Sequence, residues 1–189
     1  MKTLYLFKVI HSPKEMGPSI VDALIQKHGK AKVEEVFAEI NQYWQLVEMK
    51  IEKAGFLQTE KAAMTYIFID GWPNTENDEI EKVINNSISK QIPVYVIANK
   101  LRINGAQIHG TEDYELLWEE VCYQKALVTG APRNLSKESR LLKERTATII
   151  TRMDEIVPEN HLAILFIGAL HDLTEALTKL RINFNIIQL

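Results

Sequence analysis

The 189 residues contain a single cysteine, Cys122. No internal disulfide can form, and nothing favours an oxidising compartment. Long apolar runs are also missing. The stretch Leu162–Leu170 falls far short of the roughly 20 residues a membrane-spanning helix needs. Near the start, Leu4-Tyr5-Leu6-Phe7 is broken by Lys8, and no small-residue cleavage site of the secretory type follows. No basic block of the kind that holds a nucleic-acid backbone is present, because the net charge of −3 is spread along the chain. The sequence lacks a Walker loop, Gly-x-Gly-x-x-Gly, Gly-x-Ser-x-Gly and His-Glu-x-x-His. Those gaps argue against the common nucleotidases, Rossmann dehydrogenases, serine hydrolases and zincins. Internal repeats and low-complexity linkers are absent too.

What is there reads as one globular domain. Apolar residues make up 46% and charged residues 25%, and the length suits a single core. The expectation is a cytoplasmic protein without a nucleic-acid or membrane partner, acting on a small-molecule or peptide substrate.

Short apolar runs alternate with longer helical patterns, the signature of crossover connections. The predicted strands are Leu4–Ile10, Met64–Ile69, Pro93–Ala98, Ala163–Ile167 and Asn183–Ile187. Most are apolar nearly throughout, as in strands covered on both faces. The clearest helix spans Lys32–Lys53, where Val33, Val36, Phe37, Ile40, Trp44, Val47 and Ile51 recur at three- and four-residue steps. Further helices are expected over Asp78–Lys90 (Ile80, Val83, Ile84, Ile88), after Glu112, over Lys137–Val157 and after His171. The fold class is therefore α/β: a single three-layer domain with a mainly parallel sheet flanked by helices. The long stripe of the Trp44 helix could pack on its own sheet or on a second copy, which leaves a homo-oligomer open. Asn99–Thr111 and Thr129–Ser136 read as long loops.

In open parallel sheets, ligands bind beyond the carboxyl ends of the strands. Val9-Ile10-His11, Ile69-Asp70-Gly71, Ala98-Asn99-Lys100 and Ile167-Gly168-Ala169-Leu170-His171 follow four of the predicted strands. Two histidines and a carboxylate thus fall at equivalent places. His11 precedes Ser12-Pro13-Lys14-Glu15, a capping box with proline at the first helical position. His171 precedes Asp172-Leu173-Thr174-Glu175, an acidic variant of the same start signal. An imidazole just ahead of a helix is disfavoured as imidazolium, and a neutral ring can act as base or metal ligand. The plainer alternative makes each histidine a turn residue.

Arg145 lies within the apolar stripe of Leu141, Leu142, Ile149, Met153 and Ile156. A buried guanidinium demands an anionic partner: Asp70, a substrate oxyanion or a glutamate. Arg152 lies near the same face. Glu112 and Asp113 read as helix caps, Trp72-Pro73 as a packed turn, and Cys122 as a core residue. His28 and His161 look structural, and His109 carries no signal.

The stretch Lys143-Glu144-Arg145, Ile149, Arg152-Met153 and Phe166-Ile167-Gly168-Ala169-Leu170-His171 resembles the TraB/TIKI group, within the superfamily that includes erythromycin esterase and the haem-binding ChaN proteins. His171 with Gly168 matches that group's late Gly-x-x-His motif, and Arg145 its helical arginine. His11 falls at the early histidine, with Lys8 where the group has glycine. Asp70 stands in place of the group's glutamate. The resemblance implies a hydrolase, with Gly168 on the cofactor side of the site.

Two hydrolytic forms remain open. His11, Asp70 and His171 could hold a divalent zinc or manganese that activates water, with Arg145 stabilising developing negative charge. Alternatively, one histidine acts as general base beside Asp70 without metal. A non-catalytic module binding an anion, a nucleotide-like ligand or haem is the competing reading, and a purely structural protein the third.

Overall fold

The computed structural model describes residues 1–73 and 77–188, the side chains of residues 77–80 excepted. The predicted Ile80 contact therefore lies outside the described residues. Five parallel strands form one sheet: β1 (Lys2–Val9), β2 (Thr65–Pro73), β3 (Gln107–Glu112), β4 (Leu162–Gly168) and β5 (Phe184–Gln188), in the order β3-β2-β4-β1-β5.

The alternation of side chains along each strand divides the core in two. On one face lie Phe7, Ile67, Ile69, Ile164 and Phe166. Against them pack α3 (Lys30–Lys53), α5 (Asn77–Ser89) and α6 (Pro93–Ile103), through residues such as Trp44, Val47, Ile84 and Ile97. On the other face Leu4, Leu6, Phe68, Leu165 and Ile167 meet α8 (Leu135–Ile156) and α9 (Leu173–Leu180). The remaining described helices are α1 (Pro13–Met16), α2 (Pro18–His28), α4 (Thr59–Ala63) and α7 (Tyr114–Val128). This is the predicted three-layer arrangement, with an all-parallel sheet. No described helix is long and apolar enough to cross a membrane.

The stripe of α3 is spent on its own sheet, since Ile40, Trp44, Val47 and Ile51 are all buried there. One strand assignment is corrected. Pro93–Ala98 opens α6, with Pro93 in its first turn and Val94, Ile97, Ala98 and Leu101 buried at helical spacing. The β-branched residues that suggested a strand are helical positions held by tertiary packing, which overrides weak propensity. Asn99 and Lys100 consequently lie within α6 rather than at the carboxyl edge. The third strand instead comes from Gln107–Glu112, all but its last residue inside the predicted loop Asn99–Thr111.

The connections β1→β2 and β2→β3 step toward the β3 edge over the α3/α6 face. Those of β3→β4 and β4→β5 step the other way over the α8/α9 face. All four therefore keep one hand, as the crossover rule demands. The chain leaves neighbouring β2 and β4 toward opposite faces and opposite edges. A crevice opens at such a switch point, and Asp70 and Gly168 stand on its two sides.

Candidate functional site

Asp70 and Gly71 lie where β2 loses its regular pairing with β3, the register shifting between Ile69 and Pro73. Gly71 has φ +80°, a conformation side chains resist, and its amide donates to Glu112 Oε1 at 3.1 Å. Across the crevice, the Gly168 amide donates to Asp70 Oδ2 at 2.9 Å. A Cβ at Gly168 would stand 3.1 Å from that same oxygen, so glycine is what permits the approach. Gly168 thus serves the carboxylate, and the role sequence reading gave it beside a cofactor is not what its contacts express.

Arg145 rises from α8 beneath this edge, its side chain only 8% exposed. Nη2 donates to Asp70 Oδ1 at 2.8 Å and to Glu112 Oε1 at 2.5 Å, Nε donates to Glu112 Oε2 at 2.9 Å, and Nη1 reaches Glu120 of α7. Three carboxylates satisfy one guanidinium, so Arg145 is committed to the protein rather than offered to a substrate oxyanion. Arg152, the alternative, takes no part in this network.

Glu112 is the residue that sequence reading misplaced. It ends β3 fully buried, and its neighbour Asp113 alone caps α7, accepting from Glu115 and Leu116 amides at 3.0 Å each. The readable signal was Arg145: a guanidinium in an apolar stripe needs more than one carboxylate oxygen to replace its hydration.

Burial works against ionisation of Asp70. Hydrogen bonds with His171, Glu112 and the Gly168 amide outweigh it and hold the carboxyl well below its usual range. For Glu112, burial dominates and pushes the carboxyl up, with the neighbouring Asp70 adding to the rise and Arg145 opposing it. Arg145 loses hydration too, but Glu112, Asp70 and Glu120 raise its pKa further, and it stays charged.

His171 is buried beside Asp70, with Nε2 3.4 Å from Oδ2 and Nδ1 2.7 Å from Thr146 Oγ1. Thr146 has one hydroxyl proton and two acceptors, His171 Nδ1 and the Leu142 carbonyl at 2.6 Å. When the hydroxyl donates to Nδ1, the ring proton sits on Nε2 and points at Asp70 Oδ2; when it donates to Leu142, Nδ1 carries a proton toward Thr146. The expected free imidazole, open as base or ligand, is replaced by a ring that fastens β4 to β2 and α8. The helix after it starts as read, with Asp172 accepting from the Glu175 amide at 3.0 Å.

His11 stands apart from that knot. The segment after β1 is pinned by α3: the Trp44 indole donates to the Ile10 carbonyl at 3.0 Å, and the Tyr43 hydroxyl donates to that of Lys8. The imidazole is left 72% exposed, with Nδ1 3.6 Å from Glu15 Oε1. Glu15 is fixed in turn by accepting from the Ser12 amide at 2.5 Å, which is one half of the capping box. The other half is open, because the buried Ser12 hydroxyl has no partner. The Glu15 hydrogen bond raises the His11 pKa against the cost of burial, and the charges of Glu15 and Asp70 add to the rise. Tyr95 of α6 lies in the same field, its hydroxyl pKa raised by burial and by Glu15 and Asp70. Trp72 is buried and meets Tyr95 edge-on at 5.7 Å between ring centroids. It forms the packed turn expected of it.

The structure therefore gathers Asp70, Arg145, Gly168 and His171 into one network and leaves His11 beside it, within reach of its charge. A shared metal at His11, Asp70 and His171 does not fit. His11 faces Glu15, both Asp70 oxygens and both His171 nitrogens have protein partners, and among the described residues no three His, Cys, Asp or Glu side chains are grouped to hold an ion. Haem ligation by His171 meets the same obstacle.

Of the lesser candidates, His109 lies on β3 and stacks on Tyr66 and Phe68, and Cys122 is exposed on α7 rather than in the core. Comparison with protein-family models, with curated proteins and with solved structures finds no match.

Proposed function

We propose that the protein is a metal-independent hydrolase in which His11 is the general base. The observation that carries this reading is an exposed imidazole whose Nδ1 lies 3.6 Å from a fixed carboxylate, at the same strand-end edge as the buried, ionised Asp70 and within reach of its charge. With Nδ1 turned to Glu15, Nε2 is the nitrogen available to water. It would take a proton as the water oxygen attacks the scissile centre, then pass that proton to the leaving group. Glu15 and Asp70 stabilise the imidazolium formed between these two transfers, as oriented carboxylates do for catalytic histidines. Arg145, Gly168 and His171 are positioning residues. They hold the Asp70 charge in place and touch no substrate. The resemblance of Arg145 and Gly168-x-x-His171 to the TraB/TIKI group is in keeping with hydrolysis, though it assigns those residues a more direct role.

Charge narrows the substrate class. Asp70, Glu15, Glu112 and Glu120 meet two permanent cations at this edge, Arg145 and Lys8, the latter with Nζ 3.5 Å from the His171 carbonyl. The excess is negative, which favours neutral or cationic substrates and disfavours phosphate esters.

The test is a panel of chromogenic acyl esters, aminoacyl amides and phosphate esters, assayed with the purified chain and with His11→Ala. We expect turnover on an ester or amide, reduced about 10²- to 10⁴-fold in His11→Ala with an unchanged melting temperature. Turnover that survives this substitution, or a panel with no turnover at all, would overturn the proposal.

A further inference from the structure

Helix α7 is unusual among the helices over the sheet. It runs for 15 residues and is rich in apolar side chains, yet Tyr123 is its only buried residue. The shortfall lies on one side. Tyr114, Trp118, Val121, Lys125 and Val128 follow one another at steps of four, three, four and three residues, the spacing of a helix–helix seam. Tyr114 is 63% exposed, Trp118 52% and Val128 89%. Single exposed apolar residues are ordinary, but a periodic row of large ones marks an interaction surface.

The charge pattern selects the occupant. Asp113 and Glu115 stand at the start of α7 and Lys125 in its last turn, side-chain charges that exceed the opposing partial charges of the helix dipole at each end. A second α7 laid antiparallel across a twofold axis brings each acidic end against a basic one. It also places Lys125 alongside the partner's Trp118, repeating between chains the contact that Lys125 already makes over Trp118 at 5.5 Å within one. Self-complementarity of this kind is what a twofold interface requires. The midpoint of such a pair falls near Val121 and Cys122.

We infer that the chain forms a twofold dimer through antiparallel α7 helices. The pairing would also roof the groove of about 650 Å³ between α7 and α8, where Leu117, Glu120, Val121 and Gln124 face Arg145. Water reaching the Arg145–Glu120 pair would be displaced, joining the dimer to the ion network behind the catalytic edge.

The experiment is sedimentation equilibrium on the full chain, with Trp118→Glu and Val128→Glu, and with far-UV circular dichroism as the control for folding. The wild type should be dimeric. Each variant should keep its spectrum and raise the dimer dissociation constant, Trp118→Glu by at least about thirty-fold, the loss expected of an aromatic anchor, and Val128→Glu, at the end of the seam, by less. Mild oxidation should link two chains through Cys122, and Cys122→Ser should abolish the link. A wild type that stays monomeric at its highest soluble concentration would overturn the inference. So would a dimer indifferent to both glutamates and not cross-linked through Cys122. Neither readout depends on catalysis, so failure here leaves the His11 proposal standing, and the reverse.

Discussion

Replacing Arg145 with methionine removes the guanidinium from between Asp70, Glu112 and Glu120 while keeping most of the side-chain volume. Glu112 has no exposure and Asp70 little, so both lose their compensating charge without gaining water. Breaking a buried pair in this way costs about 3–5 kcal/mol. Glu120 is 28% exposed and rehydrates, which places the expected loss near the lower bound. For a chain of this size, about 3 kcal/mol lowers the melting temperature by about 6–12 °C. Differential scanning calorimetry at pH 7 measures it.

The pH dependence makes the prediction specific. Asp70 has a depressed pKa, so its contribution is present above about 3.9 and is lost as pH falls through the folded value. Glu112 has a raised pKa and behaves oppositely: its contribution is present below about 4.3 and is lost as pH rises through the folded value. Arg145 restrains that rise, and without it the Glu112 pKa climbs further. The penalty of Arg145→Met should therefore shrink as pH falls below 7 and Glu112 takes up a proton. Adding Glu112→Gln to the variant should recover more than half of the loss at pH 7. A penalty below about 1 kcal/mol, or one independent of both pH and Glu112, would refute the claim that this network is buried and mutually dependent.

Three further outcomes follow from the same geometry. Gly168→Ala should cost about 1–2 kcal/mol in urea unfolding, because the new methyl pushes Asp70 Oδ2 off the Gly168 amide and leaves that donor unpaired. Gly71→Ala should cost about 1–2 kcal/mol through backbone strain alone at φ +80°, with open space around the added methyl. In the hydrolysis assay, kcat/KM should rise with pH as His11 loses its proton, with an apparent pKa above 6.5. Glu15→Gln should shift that profile to lower pH, and an unshifted profile would remove Glu15 from the site.

Much of the architecture could be read from periodicity. The α3 stripe, the apolar β1 and β4, and the start signals after His11 and His171 all lie where the sequence puts them. The errors share a cause. Pro93-Val94-Tyr95-Val96-Ile97-Ala98 has β-branched residues at helical spacing, and six residues are too few to separate the two periods. Gln107–Glu112 carries one large aliphatic residue, Ile108. Its strand is recognisable only through its neighbours: Tyr66 and Phe68 stacking on His109, and Thr111 donating to the Ile69 carbonyl. Missing that strand meant missing Glu112, since a glutamate ahead of a helix looks like a cap until the chain before it is known to be extended.

The charge of the site depends on the same strand. From the sequence, Arg145 can be matched by Asp70, by a substrate oxyanion or by a glutamate. Glu112 and Glu120, together with Asp70, leave no place for the oxyanion, because all three nitrogens of the guanidinium are engaged. Two residues read as chemistry, Arg145 and His171, become the means by which one carboxylate is held ionised at a sheet switch point. The residue least held by the fold, His11, is left as the group able to exchange protons with a substrate. Its standing as a base therefore depends on Asp70 staying charged, and Asp70 stays charged because Arg145 and the Gly168 amide donate to it and His171 lies against it.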